Sequence, residues 1–236
     1  MNNINLWTTS EHALRYLEKA DKIPHRTEGE AVLLAQVPQN IKRILDLGTG
    51  DGRLLALLKI DRPQMNSIAI DFSPTMLEAV KRRFFEDKTV QVISHDLNEP
   101  LPDLGLFDAI VSSFAIHHLI HERKLSLYAE IFQRLEPGGI FCNLEHVASS
   151  TPTVHEKFLE ALGSETENDD PSNKLLDVET QLIWLRKIGF TDVDCYWKWL
   201  ELALLIGVKA KDSTLSPHQM NQTHQMNQTT DVDSAL

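Results

Sequence analysis

Ile44-Leu45-Asp46-Leu47-Gly48-Thr49-Gly50-Asp51-Gly52-Arg53 decides the reading of this chain. An apolar run of strand length passes straight into a glycine-rich turn, and Arg53 to Ile60 then reads as a helix. Glycines let the backbone turn sharply and approach a ligand closely. The helix behind them offers N–H groups that no carbonyl of its own satisfies. One glycine motif is weak by itself. Asp71 strengthens it, because it ends the next apolar run, Ser67 to Ile70, about twenty residues past the glycines. An acid at that place accepts hydrogen bonds from both hydroxyls of a ribose. Strand, Gly-x-Gly, helix, strand, acid is a nucleoside-binding half-fold.

Working outward, the alternation continues. Ile41 to Leu47 is the first strand, and Ser73-Pro74 starts a helix to about Phe85, with Ser73 as N-cap and Pro74 at the first helical position. Thr89 to Ser94 and Phe107 to Phe114 are strands. His121 to Leu135 is helical and stops at Pro137-Gly138-Gly139, and Ile140 to Glu145 is the fifth strand. Repeated strand–helix units mean a parallel sheet with helices on both faces, joined by right-handed crossovers. Pro152 to Leu162 and Val178 to Ile188 read as helices, and the polar, acidic stretch Gly163 to Lys174 as a mobile loop. Phe190 to Trp197 and Leu200 to Val208 are two strands whose short link permits only an antiparallel pair.

The ends differ from this core. Thr8 and Glu11 form a capping box for a helix carrying Leu14, Leu17 and Ala20; Ile23-Pro24-His25-Arg26 breaks it, and Gly29 to Val37 is a second short helix. From Lys211 the hexapeptide His218-Gln219-Met220-Asn221-Gln222-Thr223 is repeated at once as His224 to Thr229. That composition buries too little apolar surface to order itself, and a metal-binding tail is the alternative reading. The expected organisation is residues 1–40 as N-terminal helices or lid, 41–209 as the nucleoside-binding domain and 210–236 as a disordered tail.

Composition excludes several functions. The 236 residues are 42% hydrophobic and carry 23 Lys plus Arg against 34 Asp plus Glu, a net charge of −11. Such a chain is a poor electrostatic partner for nucleic acid and for an anionic membrane surface. The one basic run, Lys81-Arg82-Arg83, sits in a helical pattern and reads as a solvated face. Cys142 and Cys195 show no Cys-x-x-Cys spacing, so no disulfide framework, thiolate zinc site or other metal site is expected. The first residues read as no signal peptide and no apolar run spans a bilayer. A cytoplasmic protein whose partner is a small molecule rather than nucleic acid or membrane, with a homodimer left open, is the expectation.

A dinucleotide and S-adenosylmethionine both suit the half-fold. The dinucleotide fingerprint needs a glycine where Arg53 stands, which counts against a nicotinamide oxidoreductase. Asp46, at the carboxyl end of the first strand, suits a cationic amino-acid ligand and disfavours a pyrophosphate. With these residues the chain resembles the class I S-adenosylmethionine-dependent methyltransferases over roughly residues 25–209. Leu45 to Gly52, Ile70 to Leu77, Phe107 to Val111 and Leu135 to Gly139 carry the resemblance, in order.

The resemblance implies a Rossmann-like, doubly wound α/β fold with a seven-stranded sheet whose last strand is antiparallel. It also implies that Asp46 and the turn Gly48, Thr49, Gly50 and Gly52 hold the methionine end of the cofactor. Asp71 would take the ribose hydroxyls and Phe72 would pack on the adenine. Asp96 would face the adenine amino group with Leu97 beside the ring, and Ser113 to Ala115 would floor the site near the sulfonium. S-adenosylhomocysteine would be the product. Asp96 also fits a turn cap, and Phe72 the core.

The acceptor side rests on placement. Ligands in such sheets bind outside the carboxyl ends of the strands. His117 and His118 follow the fourth strand, and Glu145 and His146 end the fifth, so these groups are expected near the transferred methyl. A histidine of near-neutral pKa is the natural base for an oxygen or nitrogen acceptor. His25 and Arg26 precede the short helix, where a lid cation suits an acidic acceptor. Tyr196-Trp197-Lys198-Trp199 links the last two strands, where Trp197 recognises an acceptor or packs the sheet edge. Two alternatives to methyl transfer remain. One is a member that makes or binds a modified cofactor such as carboxy-S-adenosylmethionine, for which no arginine is clearly placed in the sequence. The other is a protein that senses the cofactor without turnover.

Overall fold

The computed structural model describes residues 23–163, 170 and 172–211, together with residues 9, 11 and 13. Its strands are β1 (Arg43–Leu47), β2 (Asn66–Asp71), β3 (Val90–Ser94), β4 (Phe107–Ser113), β5 (Leu135–His146), β6 (Thr191–Trp199) and β7 (Leu202–Val208). Its helices are α1 (Arg26–Gln36), α2 (Arg53–Asp61), α3 (Pro74–Arg83), α4 (His121–Arg134), α5 (Pro152–Ala161) and α6 (Val178–Ile188), with a 3-10 turn at Ile116–His118. The strands form one sheet in the order β3-β2-β1-β4-β5-β7-β6. β1 to β5 are parallel, and β7 runs antiparallel to both of its neighbours. The expected seven-stranded sheet with an antiparallel last strand is present.

Strand periodicity sorts the core into two layers, because successive side chains point to opposite faces. Ile44, Ala69, Ala109, Val111, Cys142, Leu204 and Ile206 pack on one face with Leu33 of α1, Leu55 and Leu58 of α2 and Val80 of α3. Leu45, Ile70, Ile110, Phe141 and Leu205 pack on the other with Leu127, Tyr128 and Ile131 of α4 and Leu185 of α6. The chain runs outward from β1 to β3 and then restarts at β4 on the other side of β1. The crevice at that reversal, outside the carboxyl ends of β1 and β4, is where such sheets bind ligands.

Some expected details differ. Pairing on β5 begins at Leu135, not Ile140: Phe107 pairs with Leu135 across a bulge before Ala109 meets Ile140. Gly138 and Gly139 then exchange backbone hydrogen bonds with Lys209, so the glycine turn is part of the sheet. Tyr196 to Trp199 lies inside β6 rather than in the link, and the chain reverses at Leu200 and Glu201, where Leu200 takes φ 46°. Ser73 is the N-cap of α3 by position but its hydroxyl caps nothing; Asp71 Oδ1 accepts the Ser73 N–H instead, at 2.9 Å. Cys142 is buried but Cys195 is only half-buried. The run Lys81 to Arg83 is exposed as expected, with Arg83 turned onto Asp51. Leu14, Leu17 and Ala20, most of the loop from 164 to 171, and the repeated tail lie outside the described residues.

Candidate active site

The glycine turn is shaped by what surrounds it. Gly48 has φ 65°, and a methyl built on it would lie 2.2 Å from the Ala115 Cβ. Ala115 reaches that place because Phe114, at the end of β4, takes φ 54° and donates its N–H to Leu144 O at 2.8 Å. A left-handed phenylalanine is strained, and strain of this kind collects at ligand sites. Gly52 has φ 81° and faces Val80 and Phe84, so it brings α2 close to α3 and supports the turn from behind. Gly50 is the opposite case, since a methyl there would meet open space.

One cleft gathers most of the residues the sequence singled out. Asp46, Gly48, Thr49, Gly50, Asp71, Phe72, Asp96, Leu97, Ser113, His118 and Arg26 all line it; Gly52 does not. Asp71 is buried and accepts from Gly50 N at 2.9 Å as well as from Ser73 N. Burial raises its carboxyl, against the pull of these N–H groups. Burial pushes Asp46 up to about 7; the Thr49 hydroxyl, 2.6 Å away, opposes the rise, and Asp71 and Asp51 add to it. Asp96 accepts the N–H and the side-chain amide of Asn98, each at 2.9 Å, so it caps a turn at the cleft wall. Ser113 and His95 also line the cleft, and Ser113 Oγ and His95 Nε2 are buried with no hydrogen-bond partner among the described residues. The lining suits a nucleoside bearing a cation: Asp71 presents accepting oxygens to the cleft, and Asp46 presents a carboxyl whose charged form a nearby positive charge favours.

The histidines fall into two groups. His118 lines the cleft and its Nδ1 lies 2.9 Å from Ser172 Oγ. His117 is buried behind it, ring centroids 3.9 Å apart, with Nδ1 2.7 Å from Glu145 Oε1. Burial lowers both well below the ordinary histidine range, so both imidazoles are neutral at neutral pH. Burial pushes Glu145 up to about 7, and its oxygens also accept His146 N and Asn143 Nδ2. The structure thus sets Glu145 behind His117 and outside the cleft lining. His146 also lies outside that lining: its Nε2 is 2.9 Å from Glu201, which takes His155 Nδ1 at 2.8 Å and the Ser149 hydroxyl too.

At the mouth, Glu30 on α1 accepts Arg26 Nε at 2.8 Å and Arg53 through two bonds at 2.8 and 2.9 Å. Arg26 also lies over the Phe114 ring, 5.2 Å from its centre. His25 is exposed, takes φ 60°, and stacks on Trp199 at 4.5 Å. Trp197 meets α1 at Gly29, where a methyl would lie 2.8 Å from its ring, and is not in the cleft lining. Sequence reasoning missed Glu30, Met76, His95, Ile120 and Ser172; Phe114 it included only as part of the floor stretch Ser113 to Ala115, and that stretch does line the cleft.

The comparisons agree with this geometry. A family model described as a methyltransferase domain matches residues 44–139. A demethylmenaquinone methyltransferase of Clavibacter sepedonicus is 29% identical over 70% of this chain and 71% of its own length. A carboxy-S-adenosyl-L-methionine synthase of Desulforapulum autotrophicum is 31% identical over 70% of this chain and 74% of its own. Among solved structures, the apo form of the S-adenosylmethionine-dependent methyltransferase SibL superposes with a TM-score of 0.61 at 21% identity. The match covers 78% of this chain and 55% of that one, so this chain spans little more than half of it. The chain belongs to the class I S-adenosylmethionine-dependent methyltransferase family, whose cofactor is S-adenosylmethionine.

Proposed function

We propose that this chain methylates a small-molecule acceptor. The observation that carries the reading is the convergence of Asp46, the Gly48–Gly50 turn, Asp71 and neutral His118 in one cleft at the carboxyl ends of the central strands. Asp46 and the glycine turn hold the methionine end, with Gly52 bracing the turn. Asp71 takes the ribose hydroxyls, Phe72 and Leu97 flank the adenine, and Asp96 faces its amino group. Ser113 supplies a hydroxyl at the floor. S-adenosylmethionine supplies, when bound, a methyl group already activated by its sulfonium. The chain's own contribution is then to hold the acceptor in line and exclude water, which lowers the barrier by several kcal/mol.

His118 faces the acceptor side and, being neutral, accepts a hydrogen bond from an acceptor hydroxyl or amine. Burial holds its pKa well below the near-neutral range expected of a general base, so it takes up a proton only weakly. His117 orients it, while His146 secures the end of β5. Arg26 offers a cation to an acidic group on the acceptor, and His25 and Trp197 set the position of α1 at the mouth. The two free thiols go with a cytoplasmic location. The test is incubation with methyl-labelled S-adenosylmethionine and pools of small hydroxy, amino and carboxylic acids. Label should appear in a small-molecule product and vanish with Asp71→Ala; label that never leaves the cofactor counts against the reading.

The carboxy-S-adenosylmethionine synthase relative supports a second reading, in which the cofactor itself is altered. Arg26 in the cleft lining supplies the arginine that sequence reasoning did not find for an extra carboxylate. Mass spectrometry of the cofactor recovered after incubation separates the two readings. S-adenosylhomocysteine supports methyl transfer, and a cofactor heavier by a carboxylate supports the second.

A further inference from the structure

Lys124, on the first turn of α4, is 1% exposed. A lysine is almost never buried so completely without a partner for its charge. Its Nζ donates to two carbonyls from distant parts of the chain, His117 O at 3.2 Å and Lys174 O. The same His117 carbonyl accepts the Lys174 N–H at 2.9 Å. The Ser172 hydroxyl, two residues earlier, meets His118 Nδ1. Burial pushes the Lys124 ammonium down to about 8, against the opposing field of Glu145, the carboxylate that holds His117 from β5. Two hydrogen bonds therefore tie the Ser172–Lys174 stretch directly to the histidine turn, and the Lys124 ammonium bridges the same two segments through one carbonyl of each. No need of the hydrophobic core explains a charge there; α4 has Leu127, Tyr128 and Ile131 for packing.

We propose that Lys124 is a positioning residue that latches the Ser172–Lys174 stretch onto the His117–His118 turn and so forms the acceptor-side wall of the cleft. The inference rests on the methyltransferase reading for its meaning, since the wall matters through His118 and Ser172, which line the cleft. Lys124 itself touches neither cleft nor cofactor. Its charge fixes two carbonyls, and the carbonyls fix the side chains that face the acceptor. Opening the latch frees Ser172 and widens the cleft without disturbing the glycine turn or Asp71.

Amide hydrogen exchange tests the latch without knowledge of the acceptor. In the wild-type protein the Lys174 amide should be strongly protected; exchange at the rate of an open chain would overturn the proposal before any variant is made. Lys124→Met keeps an unbranched apolar stem and removes the ammonium. It should raise exchange at Lys174 and its neighbours about tenfold or more while β1 and β4 amides keep their rates. Affinity for S-adenosylmethionine, measured by calorimetry on the same variant, should stay within about twofold, because Lys124 contacts nothing on that side. Unchanged exchange at Lys174, or an equal rise in β1 and β4, would make Lys124 a general packing residue and end the proposal. Loss of cofactor binding in the wild type would instead strike the methyltransferase reading and leave the exchange result standing.

Discussion

At the scale of single residues, Asp46 makes the sharpest prediction. Its carboxyl sits at about 7 because burial and two nearby aspartates disfavour its charge. A cation arriving beside it favours the charged form and lowers that value, so binding expels a proton in the pH window between the lowered value and about 7. Affinity for S-adenosylmethionine should then fall as pH drops from 7 toward 5, by up to about tenfold per unit. Titration in two buffers of different ionisation heat would show the released proton, and Asp46→Asn should flatten the profile; equal affinity at pH 5.5 and 8 would contradict the assignment. The glycines give a second contrast. Gly48→Ala drives a methyl into Ala115 at 2.2 Å and should abolish cofactor binding, whereas Gly50→Ala points into open space. The latter should cost only the left-handed strain, about 1–2 kcal/mol, read by urea unfolding. Asp46, Gly48 and Asp71 were legible because their roles lie in local spacing. Glu30 and Ser172 were not: Glu30 acts only through the cleft-lining Arg26 and Arg53, and Ser172 reaches the cleft from a stretch whose own pattern is ordinary.

At the scale of elements, the cleft depends on what pins the ends of strands. Buried Glu201, in the turn between β6 and β7, gathers His146 from β5 and Ser149 and His155 from the stretch leading into and along α5. Those three donors hold its carboxyl below the usual glutamate range. The stability this contributes is present above the unfolded value near 4.5 and is lost as pH falls through the lower folded value. Glu201→Gln should therefore destabilise the protein at pH 7, by about 2–4 kcal/mol, and lose most of that difference in acid. Equal unfolding midpoints at pH 7 would show that the cluster is idle. The strands themselves were readable from apolar alternation, and the hairpin followed from the short link. The start of β5 was not, since Pro137-Gly138-Gly139 looks like a plain turn until Lys209 is known to pair with it. Tyr196 to Trp199 was misplaced because aromatic residues suit strand and link alike; the reversal waits for Leu200, whose left-handed backbone no composition announces.

At the scale of the whole molecule, the sheet does one thing: it reverses direction between β1 and β4 and leaves a crevice where the glycine turn, Asp71 and the histidine turn meet. Every described residue lining that crevice lies between 26 and 172, and β7 ends at Val208. A chain ended at Lys211 should therefore bind S-adenosylmethionine as tightly as the full chain, and a loss of more than about threefold would give the repeated tail a role in the site. Among the described residues no helix is long and apolar enough to cross a membrane. The net charge of −11 remains a property of the surface, since the cleft sets its own local balance through Glu30, Arg26 and Arg53. The central claim is that this crevice is built for S-adenosylmethionine. Calorimetric titration of ligand-stripped protein with S-adenosylmethionine, and with NADH as control, tests it most directly. The account predicts micromolar binding of the first and none of the second. Binding of NADH, or no heat with S-adenosylmethionine, would contradict it at the glycine turn, where the argument begins.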